Sequence, residues 1–183
     1  DCAYSAHSSS QAFSLERVNK AGAVFDLTKL DWMNGHYMRN LPLEVIAERA
    51  EPYFSGFEVR DQAQYLKIIA AARERSTLLP ELAEYARMFL NPNHLSGEDL
   101  ALVQSDSSKR VLTWWREHLE QIDTDNPDNV NAMTQQAIEE LGIKGKNFYM
   151  PLRLALIGQA HGPDLPTIFA ILGKEILATR LSI

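Results

Sequence analysis

Apolar residues recur along this chain at helical spacing, and almost nowhere do they alternate as a half-buried strand requires. From Ser14, a potential N-cap, a short helix is predicted over 15–24. Leu15 and Val18 suit one buried side, and Gly22 weakens it. Asp26 can cap a second helix from Leu27 to about Arg39. There Leu27, Leu30, Met33 and Tyr37 keep the i, i+3, i+4 rule, with Lys29, His36 and Arg39 mostly off the stripe. Asn34-Gly35 would suit a hairpin turn, but the helical period runs straight through it. Asn40 caps the next segment, with Pro42 in its first turn and Ser55-Gly56 closing it after Phe54. Asp61 opens a long helix with Tyr65, Ile68, Ile69 and Ala72 inward, ending in Arg73-Glu74-Arg75. Pro80 starts another, with Leu82, Tyr85, Ala86 and Phe89 buried, and Asn91-Pro92-Asn93 breaks the chain.

Beyond that break, Ser96 caps a short helix through Val103, and a longer one runs from Asp106 to about Ile122. Its Trp114 and Trp115 diverge by about 100°, so one belongs to the core and the other is half exposed. The cluster 123–129 turns, and an amphipathic helix from Val130 to Leu141 stops at Gly142, a C-cap residue. Pro151 can open a helix in which Leu152, Ala155 and Leu156 share one face and Arg153 points elsewhere. Gly158, Gly162 and Pro163 then make a loop. Asp164 caps the last helical stretch, Pro166 lies in its first turn, and Gly173 divides it in two. The fold class is all-α, and Phe57–Val59 is too short to count as a strand.

The 183 residues suffice for one compact domain or two small ones, and 45% hydrophobic content is ordinary for a folded chain. A net charge of −6 argues against a uniformly basic nucleic-acid coat. Charge is local, however. Between Glu140 and Asp164 there is no acidic residue, while Lys144, Lys146, Arg153 and His161 fall in that gap, so an anionic partner is expected there. The lone Cys2 excludes an intramolecular disulfide and suits a reducing cytoplasm, and no apolar run reaches membrane-spanning length. Residues 1–12, small and polar, read as a disordered or artificially appended tail, and His7 is set aside with them. Phosphate-binding glycine loops, His-Glu-x-x-His and nucleophile elbows are absent, the histidines lack ligand spacing, and Glu139-Glu140 reads as a solvated helix face. No catalytic residue and no metal ligand is assigned.

The string MPLRLALIGQAHGPDLPTIFAILGKE, residues 150–175, resembles the C-terminal anticodon-binding region of bacterial-type glutamyl-tRNA synthetases. FSLERVNKAGAVFDLTKLDWMNGHYMR, residues 13–39, is similar to that family's tRNA stem-contact segment, and the two stand in the family's order. The resemblance implies a stem-contact piece at 13–40, then two packed helical subdomains at 41–90 and 91–183. By it, Arg153, Gly162, Pro163 and Leu165 match positions contacting the first and middle anticodon bases. Gly162 stands where some members carry threonine, leaving only backbone groups. RERSTLLPELAEYARMF, residues 73–89, puts Arg75 where the family reads the third base, in the form that accepts the glutamate anticodon's C and rejects G. Without the resemblance, Arg75 is a cation at a helix end, Arg153 a surface arginine, and Pro163 and Leu165 loop punctuation and packing. Lys29, Asn34, His36, Arg39, Arg73, Lys144 and Lys146 are candidate contacts to the tRNA backbone. Trp32, Met33 and Tyr37 are expected to be mainly structural.

The implied function is binding of tRNA(Glu) with anticodon discrimination. It would serve an ATP- and Mg²⁺-dependent glutamate–tRNA ligase whose N-terminal catalytic domain lies outside this chain. This fragment needs no cofactor of its own, and a cytoplasmic monomer is expected. The alternative is a helical protein-interaction or regulatory module of the same architecture that has lost RNA binding, which the acidic net charge favours.

Overall fold

A computed structural model describes residues 26–182, and no strand occurs among them. The tail and the helix expected at 15–24 lie outside the described residues. Nine α-helices and two short 3₁₀ turns follow in order among the described residues: α1 Leu27–Asn40, α2 Leu43–Ala50 continued by a 3₁₀ turn Glu51–Phe54, α3 Gln62–Arg73, α4 Leu79–Leu90, α5 Gly97–Gln104, α6 Asp106–Glu117 with a 3₁₀ turn Leu119–Gln121, α7 Pro127–Leu141, α8 Lys146–Ile157 and α9 Leu165–Arg180.

Side-chain caps set most starts. The carboxylates of Asp26, Asp61 and Asp164 accept from the backbone N–H of Lys29, Gln64 and Thr167 at 3.2, 2.7 and 3.1 Å. Ser105 caps α6, its Oγ accepting from the Ser108 N–H. Three boundaries differ from expectation. Asn40 is the last residue of α1 rather than a cap of α2, because its Nδ2 donates back to the carbonyl of His36 at 2.7 Å. Helix α7 starts three residues before Val130, capped by Asn126 and primed by Pro127 at its first position. Helix α8 starts at Lys146, not Pro151, which lies inside it. Gly145 turns the chain at φ 62°, and Phe148, fully buried, joins Leu152 and Ala155 at i, i+4 and i+7.

Helix α3 packs on α2 and α4, α6 on α8 and α7, and α9 on α7, α3, α8 and α4. One connected core results, with Ile68, Leu82, Phe89, Trp115, Phe148, Leu152 and Phe169 all essentially inaccessible. Both tryptophans of α6 are buried, against expectation. Trp115 meets Phe169 edge-on with centroids at 4.8 Å. Trp114 lies under the end of α7, where its indole N–H donates to Glu140 at 2.6 Å, and it stacks on His118 at 4.0 Å. Glu140 is therefore tied to α6 rather than left as part of a purely solvated face.

Helix α9 is broken at Gly173, whose φ of 70° and ψ of 166° are not helical. Three side chains of the α3 region hold that break. Arg60, Gln64 and Lys67 donate to the carbonyls of Leu172, Ile171 and Ala170 at 3.1, 3.0 and 3.1 Å. Gln64 and Lys67 are i and i+3 on one face of α3 and Arg60 stands just ahead of its cap, so each of three successive peptide groups receives a hydrogen bond. Arg180, at the far end of α9, donates to the carbonyls of Leu156 and Phe89, closing the ends of α8 and α4 with a positive charge where the helix dipole favours one. Gly158 ends α8 at φ 70°. A Cβ there would come within 2.8 Å of the Asn93 backbone, so the Asn91–Asn93 loop is pressed against this terminus.

Helix α1 is attached differently. Only Gly35 and Met38 are buried, and α1 packs on α3. Leu27, Leu30, Trp32 and Tyr37 are exposed, so most of the expected stripe faces outward among the described residues, and Trp32 and Tyr37 are not core residues.

Candidate nucleic-acid interface

Arg153 leaves α8 on the face opposite its buried stripe. Its guanidinium lies 5.6 Å from the ring centroid of Tyr149, one helical turn earlier. Its Nε donates to the carbonyl of Pro163 at 3.2 Å. A guanidinium carries five donors. With Nε turned to the loop, both terminal amino groups remain for a bidentate partner. Lys146 is seven residues before Arg153 on the same face, about 10 Å away along the axis, and it is exposed, as is Lys144.

In the turn before α9, His161, Gly162 and Asp164 are exposed, while Pro163 and Leu165 are buried. The side chains of Pro163 and Leu165 therefore pack inward, and this turn offers a ligand chiefly backbone groups. A Cβ at Gly162 would fall 2.7 Å from Ile157 Cδ1, in the core.

Arg75 is two residues past the end of α3, in a turn closed by its own N–H to the carbonyl of Ala72 at 3.0 Å. It is exposed and forms no ion pair with a described residue. Arg73 differs. Its guanidinium reaches the Leu41 carbonyl at 3.4 Å and pairs with Glu74 at 3.5 Å, which ties the end of α3 to the α1–α2 link. Downstream, the Glu81 carboxylate accepts from the N–H groups of Thr77 and Leu78 at 2.7 and 3.2 Å. Those two backbone hydrogen bonds hold its pKa below the ordinary 4.5 and anchor the segment that follows Arg75.

Helix α4, which bears Tyr85, packs on α3 and on both α8 and α9. Burial raises its hydroxyl pKa, the charge of Arg75 acts downward on it, and that of Asp164 acts upward. One half-buried phenol thus feels both the α3 turn and the α8–α9 turn, which are about ninety residues apart in sequence. The helical stripe marked Tyr85 only as core. Tyr149 was more legible, since i and i+4 residues meet on any helix.

On α1, Lys29, Asn34, His36 and Arg39 are all exposed. His36 stacks on Trp32 at 5.8 Å, and Asn40 binds the His36 carbonyl. The Arg39 guanidinium passes beside Gly35 and the Thr77 methyl, all within 3.2 Å of a Cβ placed on Gly35. Arg39 and the segment after Arg75 are therefore neighbours. No group of three His, Cys, Asp or Glu among the described residues could hold a metal ion, and no helix among them is long and apolar enough to cross a membrane.

The family described as the anticodon binding domain matches residues 45–183. The chain belongs to that family. This anticodon-binding domain is 36% identical over 180 residues to a glutamate–tRNA ligase of Carboxydothermus hydrogenoformans, covering 93% of the chain and 37% of the relative. The glutamate–tRNA ligase of Bacillus subtilis is 31% identical over 179 residues, at 93% and 37% coverage. Among solved structures, a glutamate tRNA ligase from Elizabethkingia meningosepticum in complex with its amino acid superposes with a TM-score of 0.77 and 26% identity, covering 92% of this chain and 34% of that one. The anticodon-binding domain described here thus spans little more than a third of the length of these relatives.

Proposed function

We propose that this domain binds tRNA(Glu) and reads its anticodon for a glutamate–tRNA ligase. The carrying observation is that α4 packs on α3, whose end carries Arg75, and also on α8 and α9, whose link carries the Arg153–Pro163 hydrogen bond. Anticodon bases are single-stranded and are recognised by stacking and by hydrogen bonds to their pairing edges. Arg153 and the backbone at Gly162, Pro163 and Leu165 receive the first and middle bases. Arg75 reads the third. Arginine is a pure donor; cytosine offers two acceptors on its pairing edge, whereas guanine presents two donors there. Arg75 therefore favours C over G. Lys29, Asn34, His36, Arg39, Lys144 and Lys146 hold phosphates and sugars, and the partly committed Arg73 ranks behind them. The division at Asn91–Asn93 separates a subdomain bearing Arg75 from one bearing Arg153.

In the whole protein, a catalytic domain binds ATP and Mg²⁺ and attaches glutamate to the tRNA. We place that protein in the cytoplasm as a monomer.

The test is Arg75→Gln. Glutamine has both a donor and an acceptor and suits either base. Binding of two anticodon stem-loops differing only in C or G at the third position should differ for the parent chain and converge for the variant. The expected loss of discrimination is about 1–3 kcal/mol, the range of a good bidentate base contact. An unchanged ratio in a folded variant would assign the third base to another residue.

A further inference from the structure

Three of the six large apolar side chains that the described residues expose, Tyr37, Tyr53 and Leu78, line one groove. They come from α1, the 3₁₀ turn after α2 and the segment before α4, with Met38 below and Asn34 and Arg49 at the rim. The groove holds about 260 Å³. That is below the roughly 300–1,000 Å³ of sites for drug-sized ligands and suits a single flat ring system. No carboxylate lines it, and Arg49 forms no ion pair with a described residue. The opposite side of α2 is the reverse: a depression of about 730 Å³ carries Glu44, Glu48, Glu51 and Asp61 and no cation. Polyanionic RNA is repelled from that side and admitted on this one.

The groove also continues the interface already described. Leu78 is three residues from Arg75, and Arg39 lies beside Thr77. On the anticodon reading above, the first and middle bases sit at Gly162 and the third at Arg75. Leu78 stands no more than about 11 Å from Arg75, the reach of three residues, so the nucleotide on the 3′ side of the third base is the one nearest the groove.

We propose that the Tyr37–Tyr53–Leu78 groove is a binding site for the unstacked base immediately 3′ of the anticodon. That base would lie against the tyrosine rings, with Arg49 at its phosphate and Asn34 at its sugar. Stacking on aromatic rings tolerates any base, so the site adds affinity and fixes the strand's direction rather than its sequence. This inference rests on the anticodon reading.

The probes are two tRNA(Glu) anticodon stem-loops, one intact and one abasic at the nucleotide 3′ of the anticodon, titrated against the 183-residue chain. The abasic loop should bind about tenfold more weakly, within the range measured for single stacked bases. Tyr53→Ala should lose about the same factor on the intact loop and nothing further on the abasic one. Tyr53→Phe should bind both like the parent. Arg49→Gln should weaken both loops and lower the salt dependence, a readout that survives if Tyr53→Ala fails to fold. Equal binding of both loops by the parent, or losses that multiply in Tyr53→Ala, overturns the groove assignment, since independent losses place Tyr53 away from that base. If third-base preference persists in that case, the groove alone is refuted. If the parent shows no third-base preference at all, the anticodon reading falls and the groove with it.

Discussion

Replacing Gln64 by leucine tests whether α3 truly holds the break in α9. Gln64 is 1% exposed. Its Nε2 donates to the Ile171 carbonyl at 3.0 Å and its Oε1 accepts from the Arg60 N–H at 2.9 Å. Leucine keeps most of the volume, so the cavity contribution is small. Two hydrogen bonds disappear. The Ile171 carbonyl loses a buried donor, at a cost of about 1–3 kcal/mol. The Arg60 N–H is partly buried and regains water, at about 0.5–1 kcal/mol. The gain from burying a less polar side chain offsets part of this. The expected net loss is about 2 kcal/mol, or about 4–8 °C in Tm for a domain of this size. Urea titration followed by circular dichroism should show a lower midpoint with the same slope. Glu84→Gln is the contrast. Its pair with Arg87 is exposed on both sides, and a surface pair contributes about 0–1 kcal/mol. A Gln64→Leu chain within 0.5 kcal/mol of the parent, or one no less stable than Glu84→Gln, would refute α3 as the clamp on Gly173.

The α1 and Glu81 positions yield two further predictions. Lys29→Ala and Arg39→Ala should each weaken cognate and non-cognate stem-loops alike and reduce the salt slope of binding by about one; a changed anticodon preference in either would remove them from the set of backbone contacts. Glu81 titrates below its ordinary value when folded because the Thr77 and Leu78 N–H groups bind its carboxylate. A depressed acid contributes stability that is complete above the unfolded pKa and is lost as pH falls through the folded one. Stability should therefore drop as pH falls below about 4.5, and Glu81→Gln should flatten that drop; equal pH slopes in the two chains would show that the capping charge is unimportant.

Much of this protein is local and so was readable from the residues alone. A helix needs only its own period and its caps, which is why Asp26, Asp61, Gly142, Asp164 and the break at Gly173 could be placed in advance. The strings at 73–89 and 150–175 identified the anticodon-binding family for the same reason, since each is contiguous. Periodicity shows that a face is apolar but not what covers it. The outward face of α1, the burial of both Trp114 and Trp115, and the entry of α8 ahead of Pro151 all depended on which neighbours arrived. The same holds for chemistry. Arg73 and Arg75 are both helix-end cations in sequence, and the carbonyl of Leu41, thirty-two residues away, together with Glu74 tethers the first of them. The packing of α4 on both α3 and the α8–α9 pair, and the groove that Tyr37, Tyr53 and Leu78 share, join segments remote along the chain. A sequence pattern reports spacing along one helix, whereas those contacts are set by how the helices pack against each other.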